Sequence, residues 1–356
     1  MSIKKVLREA SKLATPSKQE QKKIELATSI VLQKLNFVLK RKRIKAKAIC
    51  GGSFAKGTWL PSHTDIDCFI KFKYRTYKER SDELADILEP AIKQAFTHYV
   101  RLHGSRDYFQ ANYDDYVFEF VPVLNVKTPK KALNITDMSP LHIDWVKKHT
   151  KKTKIASHIR LAKLFFKATG VYGAESYIKG FSGHVVEILI IKYGSFLKLA
   201  KASQKWVPKV YIDPARHFIG KKNALLELNK SKLHSPLIVV DPTQRDRNAA
   251  AALDMEKYNV LLGKFKKFIA SPHIDLFRSK VVTIKSLKKT KRKIIVLQAS
   301  PEHDKHDVAG AKLLKQFEYL EKQLRMNDFK ILDKGWQWRG EDALFWFYFD
   351  KELLSA

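Results

Sequence analysis

The chain has 356 residues, 45% hydrophobic and 11% aromatic, which is the make-up of a folded protein with room for two or three domains. Its formal net charge of +32 repels itself and adds nothing to stability, so it points to a polyanionic partner. No apolar run reaches membrane-spanning length, the N-terminus lacks a signal-peptide core, and Cys50 and Cys68 read as small buried hydrophobes, so a soluble cytoplasmic protein with no membrane contact is expected.

Residues 1 to about 35 read as helical, with Val6, Leu13, Ile24, Ala27, Ile30, Val31 and Leu35 as apolar contacts. Strands are predicted at about 46–51 and 64–73, and then a helix carrying Leu84, Leu88, Ala91, Ile92 and Ala95, with Pro90 as a kink or boundary. Strands near 98–103, 107–113 and 116–123 complete a mixed sheet packed on helices. From about 141 to 270 the pattern is mainly helical: Ser182 is an expected N-cap for the run Val185 to Leu199, and Asp241-Pro242 breaks the chain before an alanine-rich helix from about 247. After Ser271-Pro272 a strand, helix, strand, strand order fits Lys293–Gln298, Ala309–Met326, Phe329–Trp338 and Leu344–Phe349, whose dense aromatics read mainly as core. The fold class expected is α+β: a head at 1–145, helical parts at 146–234 and 235–270, and a C-terminal α+β unit at 271–356.

The chemistry concentrates in Gly51-Gly52-Ser53-Phe54-Ala55-Lys56-Gly57-Thr58, followed by Asp65-Ile66-Asp67. Adjacent glycines let the main chain approach a ligand, Ser53 adds a hydroxyl, and the N–H groups of the next helical turn favour an anion. Asp65 and Asp67 lie two apart in a strand and share a face, while Ile66, Cys68, Ile70 and Phe72 take the other. Two such acids repel unless a cation sits between them, and Mg²⁺ is the hard, oxygen-seeking candidate. A third carboxylate, Glu119, stands in the apolar strand Tyr116–Val123. It either joins the acid pair or lies on an exposed face with Phe118 and Phe120 packed opposite. The cluster Glu302-His303-Asp304-Lys305-His306-Asp307 mixes lysine among its ligand types and is read as a loop, not a metal site.

A Gly-Ser turn, an Asp-x-Asp and a later third acid together resemble the DNA polymerase β-like nucleotidyltransferases. Gly52 to Pro61, Val171-Tyr172-Gly173-Ala174-Glu175, Gly180-Phe181-Ser182-Gly183 and Val239-Val240-Asp241-Pro242 with Arg247-Asn248 resemble the archaeal-type, class I CCA-adding enzymes (tRNA nucleotidyltransferases) in their order. The resemblance implies a nucleotidyltransferase head, a helical neck and body, and an RNA-binding C-terminal unit. It implies that Asp65, Asp67 and Glu119 bind two Mg²⁺ ions, with glutamate where the family usually has aspartate. It assigns Gly52, Ser53, Lys56, His142, Lys163, Tyr172 and Arg247 to nucleotide binding, Arg247 also helping to read the base. Without it, Lys163 reads as a solvated helix lysine, Tyr172 as a cap on the core and His142 as an ordinary hydrogen-bonded histidine.

The activity this implies is addition of C, C and A to tRNA 3′ ends from CTP and ATP. A same-fold poly(A) or oligo(U) polymerase and a non-catalytic RNA-binding relative are the alternatives. The chain stops before the family's usual C-terminus, so the grip on the tRNA elbow is expected from the basic surface, a partner or a second subunit in a homodimer. Three basic runs, Lys40–Lys47, Lys147–Lys154 and Lys285–Lys293, suit a nucleic-acid track that sets affinity and orientation.

Overall fold

The computed structural model describes residues 2–62, 64–228, 230–290, 292–301, 306–338, 340 and 342–350. Glu302, His303, Asp304 and Lys305 of the mixed His/Asp cluster, and Lys291 of the third basic run, lie outside these residues.

The chain opens with α1 (Ile3–Leu13) and α2 (Lys18–Arg41). Ser17 separates them as an N-cap in a capping box with Glu20. Leu13 and Ile30, expected to be apolar contacts, are exposed. Next come β1 (Ala46–Cys50), α3 (Gly52–Lys56), β2 (Asp65–Phe72), α4 (Tyr74–Tyr77) and α5 (Leu84–Ala95), which continues through Pro90. β3 (Val100–Leu102), β4 (Tyr108–Tyr113) and β5 (Tyr116–Leu124) complete a five-stranded sheet in the order β1-β2-β5-β4-β3. The β2–β5 pair is parallel and the other pairs are antiparallel. α2 and α5 cover one face, where Ile66, Cys68, Ile70, Phe72, Phe118 and Phe120 are fully buried.

α6 (Ser139–Thr150), α7 (Ile155–Ala168), α8 (Gly183–Tyr193) and α9 (Phe196–Ser203) follow. Ser182 caps α8 as expected, but the run to Leu199 is two helices, because Gly194 adopts a left-handed φ of 80° and Ser195 caps α9. Two short parallel strands, β6 (Val210–Ile212) and β7 (Leu237–Val239), interrupt the helical pattern, with α10 (Lys221–Glu227) between them. α11 (Met255–Ala270) starts eight residues later than expected, capped by Asp254. Residues 247–254 form turns instead, because the Asn248 side chain binds backbone: its Oδ1 accepts from Val239 N and Ala250 N, and its Nδ2 donates to Lys232 O. A second core joins α1 to α7, α8, α9 and α11, with Phe165, Phe166, Phe196, Phe265, Phe268 and Phe277 all fully buried.

Residues 1–172 and 181–278 form one compact unit. Residues 173–180 with 279–356 form another. The second holds α12 (Ile284–Leu287), β8 (Lys293–Ala299), α13 (His306–Met326), β9 (Ile331–Trp338) and β10 (Ala343–Phe349), in a three-stranded antiparallel sheet of order β8-β10-β9. Phe345, Phe347 and Phe349 are buried against Leu313 and Phe317 of α13, so this aromatic strand is core, as expected. Among the described residues no helix is long and apolar enough to cross a membrane.

One buried ion pair closes the sheet side of the first unit. Asp137 Oδ1 accepts from Arg106 Nη1 at 2.6 Å and from Leu124 N at 2.8 Å, and its Oδ2 takes the N–H groups of Leu133 and Asn134. Asp137→Ala would leave the Arg106 guanidinium buried without its partner, so the variant is expected to lose roughly 3–5 kcal/mol of stability. Urea unfolding followed by circular dichroism checks this, and an unchanged midpoint would contradict it.

Candidate active site

β2 and β5 run parallel with Asp67 opposite Glu119, so both side chains project from the same face as Asp65. Phe118 and Phe120 go to the opposite face and stack with centroids 6.3 Å apart. The two readings of Glu119 therefore coincide: alternation that packs the phenylalanines is what delivers the glutamate to the acid face. Glu119 Oε1 accepts from Gln110 Nε2 on β4 at 2.6 Å.

The glycine turn folds onto these acids. Gly51 N donates to Asp67 O at 2.7 Å. Gly52 has φ 51°, and a Cβ there would fall 1.6 Å from Asp67 Oδ2. No other residue fits, for both backbone and space. Ser53, next in α3, is half-buried. Burial raises the Asp67 carboxyl above its ordinary range against the pull of Lys56, and Asp65 adds to the rise. Burial likewise raises Glu119, with Asp67 and Asp65 adding to it against the Gln110 hydrogen bond. Charged oxygens on one face, one of them seated in a cradle that only glycine leaves open, fit a hard divalent cation, which would relieve their repulsion.

Lys56, at the end of α3, and Lys163, on α7, meet on one buried carboxylate that the sequence reading had not selected. Glu187 Oε2 accepts from Lys56 Nζ at 2.8 Å and Oε1 from Lys163 Nζ at 2.9 Å. Thr58 Oγ1 also donates to Glu187 Oε1, at 2.9 Å. Lys163 is 4% exposed, which removes the solvated-lysine reading. The Tyr172 hydroxyl and the Lys163 ammonium both border Gly183, where an added Cβ would lie 2.8 Å from the Tyr172 oxygen and 3.7 Å from Lys163 Nζ. Tyr172 also packs against the second core, as a cap on the core would.

The last group centres on Asp241, which is fully buried. Its Oδ2 lies 3.1 Å from His142 Nε2, 3.3 Å from His184 Nε2 and 3.1 Å from Arg247 Nη1. Its Oδ1 accepts from the N–H and hydroxyl of Thr243. Burial would raise Asp241, but the adjacent His142 and His184 overcome it and hold the carboxyl far below its usual range. Burial pushes His184 down to about 4. Among the described residues, ligand atoms of His142, His184 and Asp241 lie within 4.8 Å of one another. They do not form a good metal centre. The imidazoles stack at 4.0 Å and 27°, both Nε2 atoms already lie beside Asp241 Oδ2, and Arg247 supplies a positive charge next to them. Arg247 reaches this cluster from a turn, not from the helix N-terminus expected for it.

Glu187, His184 and Gly183 all belong to α8, within one turn of each other, so this helix carries the lysine cluster and the histidine cluster together. The sequence signal for Glu187 was a lone acid inside an apolar helical run, which needs a buried partner. His184 and Asp241 gave no such signal, since their partners come from distant segments.

Two family profiles match the chain: a nucleotidyltransferase domain over residues 32–128, and the second domain of tRNA nucleotidyltransferase over residues 157–278. A CCA-adding enzyme of Nanoarchaeum equitans is 34% identical over 311 residues, covering 86% of this chain and 74% of that protein. The chain belongs to the CCA-adding enzyme family. It is a nucleotidyltransferase of the archaeal type. The CCA-adding enzymes of Pyrobaculum aerophilum and Pyrococcus abyssi are 33% and 28% identical, and the chain spans 63% and 77% of their lengths. Among solved structures, the Cid1 poly(U) polymerase matches with a TM-score of 0.62 over 78% of this chain and all of that one, at 13% identity. The ATP complex of CdnC from E. coli MS115-1 matches with a TM-score of 0.56 at 17% identity. These two likenesses bear on the fold, which they share with this family member.

The Gly52 contact gives a steric test. Gly52→Ala forces Asp67 to move, and displacing a catalytic group by about 1 Å costs on the order of 100-fold in rate. Nucleotide incorporation by the variant should fall by at least that factor while its circular dichroism spectrum stays unchanged. Incorporation within threefold of the parent would show that Asp67 need not sit where it does.

Proposed function

We propose that the chain adds C, C and A to tRNA 3′ ends from CTP and ATP, without a nucleic-acid template, in the cytoplasm. What carries the reading is the register of Asp67 and Glu119 beside Gly52 in a chain of this family. The 3′-hydroxyl of the tRNA attacks the α-phosphate of the incoming nucleotide, and pyrophosphate leaves. Asp65, Asp67 and Glu119 are the residues that would hold Mg²⁺, which when bound activates the hydroxyl and stabilises the leaving oxygens. Gly52 and Ser53 bring the turn close to the triphosphate, while Lys56, Lys163 and Tyr172 bind it. His142 and Arg247, fixed on Asp241, line the side of the pocket that takes the base. The exposed basic runs Lys40–Lys47 and Lys147–Lys154 bind the tRNA backbone as point charges.

Incubation with Mg²⁺ and tRNA lacking its 3′ CCA, supplied with CTP, ATP or both, followed by sequencing of the 3′ ends, tests this directly. CCA ends are expected with both nucleotides, and none with Asp65→Ala or Asp67→Ala. Homopolymer tails would instead identify a poly(A)- or oligo(U)-type enzyme, and no incorporation under any condition would leave an RNA-binding relative. Arg247→Ala should change the choice between CTP and ATP more than it changes metal dependence. Unchanged selectivity would remove its base-reading role.

A further inference from the structure

Glu187 has no role in the family features above, yet it is the most heavily engaged carboxylate near the phosphate-binding lysines. Its side chain is 1% exposed. It takes Lys56 on one oxygen, and Lys163 with Thr58 on the other. Lys163 donates in addition to Thr58 Oγ1 at 3.0 Å. Burial alone would raise the Glu187 carboxyl, but Lys163 and Lys56 attract its charged form and hold it well below the usual carboxylate range.

The surroundings are polar on several sides. His184 faces the carboxylate from the same helix, Asp67 acts on both lysines from β2, and the Tyr172 hydroxyl stands at Gly183 beside Lys163 Nζ. An ammonium has three donors. In the contacts described, Lys163 spends two on Thr58 and Glu187 and Lys56 spends one on Glu187, so each retains capacity for a phosphate oxygen.

We propose that Glu187 is a positioning residue that fixes Lys56 and Lys163 for the triphosphate and holds the charge of the three-residue group at one positive unit. The proposal rests on the triphosphate role of the two lysines. Without the carboxylate, two ammonium groups would stand close together in a buried site. Like charge and desolvation then both favour loss of one proton. A lysine that has lost its proton attracts a triphosphate less, so the variant should bind nucleotide more weakly as pH rises.

The test is equilibrium binding of CTP to the full chain between pH 6.5 and 9.5, for the parent, Glu187→Gln and the double variant Glu187→Gln with Lys56→Met. In Glu187→Gln the affinity is expected to fall by up to about tenfold per pH unit once one lysine begins to titrate. The parent should vary by less than about threefold over the same range. The double variant again has a single ammonium, so its binding should be weaker but flat with pH. An affinity loss in Glu187→Gln that is the same at every pH would make Glu187 a scaffold residue only and overturn the proposal. If Glu187→Gln does not fold, the double variant decides. Folding with flat binding supports the proposal, and failure to fold or a persistent pH slope overturns it. Lys163→Ala reports on the underlying reading separately, because unchanged CTP affinity there would remove the triphosphate role itself.

Discussion

A shortage of negative charge in the right places organises the first unit. The chain carries 68 lysine and arginine residues against 36 acids, and most of the positive excess can stay in water. The lysines of the site cannot, and a single carboxylate, Glu187, holds two of them. That contact joins α3, which grows out of the sheet, to α7 and α8 of the helical core. Remove the carboxylate and the glycine turn keeps its packing on Asp67, but the cations beside it lose their common anchor. Breaking such a buried arrangement costs more than never having built it, because the partners left behind stay desolvated.

Asp241 repeats this solution nearby. It gathers two histidines and an arginine from α6, α8 and a turn, while its second oxygen is satisfied by Thr243. In both clusters the acid is the most deeply buried member. Arg247 keeps about a third of its side chain exposed, whereas Asp241 has none. An acid exposed at such a site would compete with a triphosphate; an acid buried behind the cations directs them instead. The acid face of the sheet works the other way. There Asp65 is exposed, and Asp67 and Glu119 are only partly covered, which suits a cation.

Alternation along β2 and β5 separates these two environments from the sheet core. Every second side chain enters the aromatic and aliphatic layer beneath α2 and α5, and the intervening ones form the acid face. A one-residue slip of β5 would bury Glu119 and expose Phe118 and Phe120, and a slip of β2 would bury Asp65 and Asp67, so the hydrophobic pattern itself sets the register of these acids.

The sequence alone determined whatever depends on neighbours a few residues apart. The acid face of β2, the turn at Gly52, the cap at Ser182 and the strand-helix-strand-strand order of the C-terminal unit all follow from periodicity or from one residue's backbone preference. The order of its motifs also matched the family to which the chain belongs. Tertiary structure decided the rest. The strands β6 and β7 and the turns that replace a helix at Arg247 depend on packing and on Asn248 binding strands and loops across the fold. Above all it decided which charges meet: Glu187 lies 131 residues from Lys56, and Asp241 lies 99 residues from His142. Coulombic attraction and desolvation act through space, so no local pattern in the chain could announce those pairs.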